Sequence, residues 1–195
     1  MEIPKQELTL DQQLSFIWGK INASVRNKKN AIHSPVLSIQ GESVSPRTLI
    51  LRGVNQDLRQ CFFFSDIRSQ KITSIKQSKN GFLHAYDYQD QLQLRVKGEI
   101  SFSYDNTLTR FWWDKLSDYS KKVYCTNMNP GQALSQPQYL VSTYDKDKID
   151  NGYKNFSVLT FIINEIDCLV LGRGIQIRSL HQWSDHKFTQ CWLAP

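Results

Sequence analysis

Two segments decide the fold of this chain: Arg47-Thr48-Leu49-Ile50-Leu51-Arg52-Gly53 and, after a loop, Cys61-Phe62-Phe63-Phe64-Ser65-Asp66-Ile67-Arg68-Ser69-Gln70-Lys71. Aliphatic and aromatic residues fill the middle of each segment, which predicts strands over Arg47–Arg52 and Cys61–Ser65. A helix is predicted to follow, from Ser69 to Lys79. Cationic and hydroxyl side chains stand at the ends of these elements, where a fold presents them to an anionic ligand while its core stays apolar.

The flanking segments predict a mostly antiparallel α+β domain. Thr9 and Gln12 form a capping box ahead of an amphipathic helix, and a second helix is predicted over Thr107–Tyr124. The remaining strands are joined by short turns, which favours antiparallel pairing in a closed or nearly closed barrel. They are predicted at Val36–Ile39, Phe82–Tyr88, Gln91–Tyr104, Phe156–Asn164, Asp167–Leu171, Gln176–Trp183 and Gln190–Leu193. No linker divides the chain, so residues 1–195 are predicted to form one domain.

Composition excludes several classes of protein. Of the 195 residues, 40% are hydrophobic and 22% are charged, as in globular proteins, and no apolar run is long enough to span a membrane. The start of the chain lacks a secretory signal pattern, so we expect a cytoplasmic protein. The four cysteines show no C-x-x-C pair and the four histidines no metal-ligand spacing, which predicts reduced thiols and no metal site.

The net charge of +6 is compatible with a nucleic acid, with a phosphorylated small molecule or with no specific partner. The dense basic cluster, Arg26 to Asn30, falls at a predicted helix end, where cations interact favourably with the helix dipole. Aromatic residues and cations do not alternate along one strand, so a nucleic-acid surface is disfavoured. Ser69 and Lys71 in the first turn of a helix, with Arg68 before them, are typical of a phosphate site. Spacing alone also allows solvated cations.

Three segments in order resemble the signatures of the pyridoxamine 5′-phosphate oxidase-like family. They are Arg47–Gly53, Phe64–Lys71 and Gln93-Leu94-Arg95-Val96-Lys97-Gly98. Trp113-Asp114-Lys115-Leu116-Ser117 and Pro130-Gly131 are similar to a subgroup distinct from the true oxidases. The resemblance implies an antiparallel split β-barrel with flanking helices, FMN as cofactor, and a homodimer with the flavin at the subunit interface.

The resemblance also implies individual roles. Arg47, Ser69 and Lys71 would hold the FMN phosphate, and the backbone of Thr48, Leu49, Ile50 and Leu51 would run along the isoalloxazine. Phe64 and Ser65 would line the ribityl chain, and Gln93 would reach the ring or the ribityl chain. Gln70 replaces an arginine of the oxidases, for which Arg68 would compensate, and Arg52 replaces a substrate-side lysine. Arg178 is the surviving FMN contact of the C-terminal pattern Gly174-Ile175-Gln176-Ile177-Arg178.

The missing residues of that pattern limit the functional prediction. The arginine and histidine that meet the substrate in the oxidases are absent, which argues against a vitamin B6 oxidase. An FMN-dependent oxidoreductase with another substrate is the leading hypothesis, with no catalytic residue assigned, and a non-catalytic flavin- or haem-binding barrel is the alternative. Trp112 and Trp113 cannot both face one core, so one of them is predicted to be available to an interface or ligand.

Overall fold

The computed structural model describes residues 8–40, 45–136, 146–172, 176–184 and 187–195. Its helices are α1 (Leu10–Ser24), α2 (Gln70–Gln77), α3 (Thr107–Asp114) and α4 (Asp118–Lys121), with 3₁₀ turns at Ala31–His33, Lys122–Tyr124 and Lys146–Asn155. Its strands are β1 (Val36–Ile39), β2 (Arg47–Thr48), β3 (Leu51–Asn55), β4 (Gln60–Asp66), β5 (Asn80–Asp87), β6 (Leu92–Tyr104), β7 (Phe156–Leu171), β8 (Gln176–Ser184) and β9 (Lys187–Leu193). No helix in the described ranges is long and apolar enough to cross a membrane.

The described strands form one antiparallel sheet in the order β2-β1-β5-β6-β7-β4-β3. The two ends of this path, β2 and β3, are joined by Leu49 and Ile50 alone, so the sheet curls until its edges meet. The 16-residue strand β7 pairs along one side with β6 and along the other first with β4 and then with β8. The strand thereby belongs to both the barrel and the C-terminal hairpin β8–β9, and the predicted split barrel is confirmed.

Two clusters of buried side chains hold the sheet together. The larger fills the barrel and includes Ile17 and Ile21 of α1 with Phe63, Leu92 and Phe161 of the strands. The capping box of Thr9 and Gln12 at the start of α1 is confirmed. The smaller cluster lies between the barrel and α3, with Trp113 and Phe156 at its centre. Alternation along β4 supplies both clusters, because Cys61 and Phe63 face the barrel while Phe62 and Phe64 face α3.

Several predicted boundaries are wrong for identifiable reasons. The strand predicted over Arg47–Arg52 is divided, because the chain crosses there from one sheet edge to the other. The helix predicted over Thr107–Tyr124 breaks after Asp114, and Ser117 caps a new short helix through its hydroxyl. The strands predicted at Phe156–Asn164 and Asp167–Leu171 are one strand, with a bulge opposite Lys97 and Gly98.

The sequence also predicts a helix cap at Gly81 and turns at Gln40–Ser43 and Gly172–Gly174. Gly81 was expected to cap α2, but that helix ends at Gln77 and Gly81 lies within β5, where a Cβ would contact the Phe161 ring at 2.9 Å. Gly98 lies opposite the β7 bulge, where a Cβ would overlap the carbonyl oxygen of Ile162. The predicted turns at Gln40–Ser43 and Gly172–Gly174 lie largely outside the described residues.

Candidate cofactor site

A cleft of about 500 Å³ opens where the β2–β3 link, the end of β4 and the start of α2 meet. Its lining combines a cationic end with an apolar and aromatic end. The lining residues are Ser45, Arg47, Thr48, Leu49, Ile50, Arg52, Phe64, Ser69, Gln70, Lys71, Tyr124, Pro130 and Gly131. No aspartate or glutamate is among these described lining residues, so the three cations meet no carboxylate at the cleft wall.

Lys71 is the centre of the cationic end. Its Nζ donates to Ser65 Oγ at 3.0 Å and to Ser69 Oγ at 3.1 Å, and the two hydroxyls are themselves 3.1 Å apart. Burial lowers the pKa of Lys71, and the charge of Arg47 lowers it further, while Asp66 acts in the opposite direction. The folded chain therefore brings the charge of Arg47 close enough to act on Lys71, in a cleft whose described lining contains no carboxylate.

The start of α2 faces the same end of the cleft. Ser69 occupies the N-cap position with extended backbone, yet its hydroxyl makes no capping hydrogen bond because it turns to Lys71 and Ser65. The first amides of α2 are thus left without the usual side-chain cap. Uncapped amides, two hydroxyls and two cations are the groups that proteins use to bind phosphate.

Arg68 does not have the role predicted for it. Its Nε and Nη2 donate to the two carboxylate oxygens of Asp66 at 2.9 and 2.6 Å, and its Nη1 donates to the carbonyl oxygen of Thr126 at 3.0 Å. The guanidinium is therefore engaged away from the cleft lining and cannot compensate there for Gln70. Its effect is to neutralise Asp66, the carboxylate nearest to Lys71 in chain order, and to tether the segment that follows the α4 region.

Aromatic side chains line the other end of the cleft. Arg52 is exposed and places its guanidinium 5.5 Å from the centre of the Phe64 ring. Tyr124 is 8% exposed, and burial raises the pKa of its phenol far above the ordinary value, so it stays protonated. Trp112 packs against Phe64 with ring centres 5.4 Å apart, whereas Trp113 is fully buried and donates to Asp150. Each tryptophan thus packs against one lining residue, Trp112 against Phe64 and Trp113 against Tyr124 with ring centres 5.9 Å apart.

The remaining predicted residues differ in their position relative to this cleft. Leu49 lines it, although its amide already donates to the carbonyl oxygen of Pro35 at 2.9 Å, whereas Leu51 is buried in the barrel core and does not line it. Gln93 and Arg178 do not line the cleft. They lie in one row across β6, β7 and β8, on either side of Leu169.

Sequence reasoning did not assign Tyr124, Pro130 and Gly131 to the site. Tyr124 was the last residue of a predicted helix, and Pro130-Gly131 was recognised only as a subgroup feature. Their position depends on tertiary hydrogen bonds, since Asn155 Nδ2 donates to the carbonyl oxygen of Tyr124 at 2.7 Å and Arg68 holds Thr126. No periodicity or local motif carries that information.

Acidic, cysteine and histidine side chains do not gather into a metal site in the described ranges. Cys61 and Cys168 are buried, and desolvation raises the pKa of each thiol to about 12. Both are therefore thiols at neutral pH and unsuited to act as nucleophiles. The chemistry of the cleft has to come from a bound molecule or from the residues that line it.

The fold defines the chain as a split β-barrel, and comparison with known structures agrees. A pyridoxamine 5′-phosphate oxidase-related, FMN-binding protein from Nostoc punctiforme PCC 73102 is similar over 97% of this chain and 100% of its own, with a TM-score of 0.76 and 22% identity. PhzG from Burkholderia lata 383, solved with tetrahydrophenazine-1-carboxylic acid, is similar over 100% and 98%, with a TM-score of 0.68 and 10% identity. A protein related to general stress protein 26, from Clostridium acetobutylicum, is similar over 95% and 97%, with a TM-score of 0.55 and 11% identity.

A family model matches part of the sequence. Residues 17–103 match the family model described as pyridoxamine 5′-phosphate oxidase, FMN-binding domain. The predicted family resemblance is thereby confirmed, and the cofactor of the matched domain is FMN. No match was found among curated protein sequences. The matched range contains Arg47, Ser65, Ser69 and Lys71, so the cationic end of the cleft belongs to the segment that defines the family.

Proposed function

We propose that this protein binds FMN in the cleft and acts as a flavin-dependent oxidoreductase on a small-molecule substrate. The observation that carries the proposal is the pair Lys71 and Arg47, two cations that line one cleft with Ser69 and without a lining carboxylate, with Lys71 also bonded to Ser65 behind the lining. An FMN phosphate supplies the missing negative charge and accepts from both hydroxyls and from the uncapped amides of α2. Phe64 and the β2–β3 link then border the remainder of the cofactor.

FMN supplies the electron-transfer chemistry when it is bound, and the chain contributes placement and access. Lys71 and Arg47 fix the phosphate, which sets the register of the whole cofactor along the cleft. Arg52 and Tyr124 lie at the aromatic end, where Arg52 offers a cation and Tyr124 a protonated phenol. Both groups are donors, so a substrate with acceptor oxygens suits this end better than a cationic one.

The first experiment is a flavin titration of the purified protein. A flavin band near ~450 nm and tight FMN binding are expected, with riboflavin binding weaker because it lacks the phosphate. Anaerobic mixing with NADH or NADPH then tests for reduction of the flavin. Reduction followed by reoxidation in the presence of an acceptor supports the oxidoreductase. Tight FMN binding without reduction by either donor favours a non-catalytic flavin carrier, and failure to bind FMN contradicts the proposal.

We also propose that two chains share each flavin. Gln93 and Arg178 have the side chains expected to contact FMN, yet they lie outside the cleft of their own chain. A second copy that applies its Gln93–Arg178 face to the cleft would supply them. A homodimer with two flavins per dimer is the assembly that this division of residues supports.

Complementation between two inactive variants tests the shared site. Lys71→Gln and Arg178→Ala are each expected to bind FMN weakly as homodimers. When the two variants are refolded together, a mixed dimer contains one site with both wild-type residues, provided that these come from different chains. Recovery of one tight site per mixed dimer supports sharing. No recovery in a confirmed mixed dimer places both residues of a site on the same chain.

A further inference from the structure

Asp167 lies beside Arg178 on the outer face of β7 and joins two arginines from the neighbouring strands. Arg178 on β8 donates to it through Nε at 2.9 Å and Nη2 at 2.8 Å, a bidentate pair. Arg95 on β6 approaches the same carboxylate through Nη1 at 3.3 Å. The side chain of Asp167 is only 10% exposed, so water competes little for its oxygens.

The bidentate pair fixes the orientation of the Arg178 guanidinium. It uses Nε and one hydrogen of Nη2, and the remaining hydrogens of a guanidinium are still free to donate. Because the guanidinium is planar, binding of one edge to Asp167 determines the direction in which the opposite edge points. Register places Arg178 in the row of Leu169 and Gln93, so the free edge is presented at the face expected to contact the flavin.

Charge on this face also depends on Asp167. The carboxylate lies within the field of Arg178, Arg95 and Lys97, and the hydrogen bond from Arg178, followed by these charges, holds the pKa of Asp167 below its usual range. Without the carboxylate, Arg95 and Arg178 would repel each other, and the flexible Arg178 side chain would have no partner among the described residues to hold it.

We propose that Asp167 is a positioning residue for FMN, which holds Arg178 in the orientation that contacts the flavin of the partner's cleft. The inference rests on the proposed FMN site and adds a residue that no family signature assigns. Asp167 itself makes no contact with the cofactor in this arrangement. Its contribution is to reduce the conformational freedom that Arg178 loses when FMN binds.

The chain offers a matched control two residues earlier on β7. Glu165 forms an ion pair with Lys97 at 2.7 Å and accepts a hydrogen bond from Gln182 Nε2 at 2.8 Å. It is therefore also a partly buried carboxylate with two side-chain partners on this face. Its partners are not expected to contact flavin. Glu165→Gln therefore reports the general effect of removing a salt bridge from the sheet, without the loss of Arg178 positioning.

The test compares FMN affinity and visible circular dichroism of bound FMN in four full-length proteins: wild type, Asp167→Asn, Glu165→Gln and Arg178→Ala. Asp167→Asn is expected to weaken FMN binding by about tenfold, the size of one charge-assisted hydrogen bond, and to change the flavin dichroism. Glu165→Gln is expected to leave both unchanged. Asp167→Asn on the Arg178→Ala background is expected to add no further loss, because both changes act through one side chain.

Three results would overturn the inference. Asp167→Asn with wild-type affinity and dichroism removes the positioning role, as does an equal loss in Glu165→Gln. An additive loss in the double variant means that Asp167 acts independently of Arg178. Wild-type protein that binds no FMN refutes the proposed function together with this inference, whereas tight wild-type binding with an unaffected Asp167→Asn refutes this inference alone.

Discussion

Replacement of Lys71 by glutamine tests the phosphate site directly, because it removes a charge that the folded chain holds at a cost. The residue is half-buried, its ammonium lies within the field of Arg47, and among the described residues it donates to the hydroxyls of Ser65 and Ser69. Without ligand, the variant is expected to be as stable as the wild type or more stable. With FMN, the same change removes a cation from the phosphate.

The expected loss of affinity follows from the contacts. Hydrogen bonds to charged groups contribute about 1.5–3 kcal/mol each, and one such bond, from Lys71 to the phosphate, is removed. The dissociation constant of FMN is therefore expected to rise by roughly 10- to 150-fold. Riboflavin affinity is expected to change little, because riboflavin carries no phosphate to meet Lys71.

The effect of Lys71 on the stability of the ligand-free protein depends on pH. The pKa of Lys71 is lower in the folded chain than in the unfolded chain. Between these two pKa values the unfolded chain therefore binds more protons than the folded chain. The cationic form of Lys71 therefore destabilises the ligand-free protein at neutral pH, and this effect diminishes as pH rises from the folded towards the unfolded pKa. The wild type is therefore expected to gain stability over this rise in pH, and Lys71→Gln is expected to lack that gain.

The assay combines fluorescence titration of FMN and riboflavin with urea unfolding of the ligand-free protein. Lys76→Gln is the matched control, since Lys76 lies on the same helix and its Nζ is 5.8 Å from the centre of the Phe102 ring. An unchanged ratio of FMN to riboflavin affinity in Lys71→Gln refutes the reasoning. An equal loss of FMN affinity in Lys76→Gln would also refute it, because the loss would then come from the change in net charge alone.

Three further changes test other parts of the structure. Gly98→Ala is expected to destabilise the protein by about 3 kcal/mol or more, since a Cβ there overlaps the β7 backbone. Gly19→Ala, at a position of α1 where a Cβ meets no neighbour, is expected to stabilise it by about 0.5–1 kcal/mol. Urea unfolding measures both changes. Trp112→Phe removes a buried indole N–H that has no partner among the described residues. It is therefore expected to cost less stability in thermal unfolding than Trp113→Phe, which loses a hydrogen bond to Asp150. Burial lowers the pKa of His181, so wild-type stability should fall as pH decreases below about 6.5, and His181→Gln should flatten that fall in urea unfolding at pH 7 and pH 5.

Sequence predicted the elements that local chemistry determines. The capping box at Thr9 is confirmed. The burial of Ile72 and Ile75 on α2 and the alternating burial along β6 follow short-range patterns of the same kind. The cationic end of the cleft was predicted for the same reason. Arg47 and Lys71 stand at the ends of elements that the sequence locates, and β4 pairing with β3 brings those ends together.

Long-range contacts decided what the sequence did not predict. The local sequence predicts Arg68 as a phosphate ligand. Its guanidinium instead donates to the carboxylate of Asp66, two residues earlier, and to the distant carbonyl oxygen of Thr126. Tyr124 joins the cleft because Asn155 holds its carbonyl oxygen. The division of the predicted flavin contacts between two surfaces depends on the curl of the whole sheet, which no local pattern specifies.

That curl also relates barrel closure to the proposed ligand. Arg47 lies on β2, one edge of the sheet, while Lys71 follows β4, the neighbour of the other edge strand β3. The repulsion between these two cations therefore acts across the seam where the edges meet. A phosphate between them replaces that repulsion with attraction to both edges, so FMN should close the seam as well as occupy the cleft. Binding of FMN to the closed form alone stabilises that form by RT ln(1 + [FMN]/Kd), so the rise of Tm in graded FMN measures how far the ligand stabilises the closed barrel.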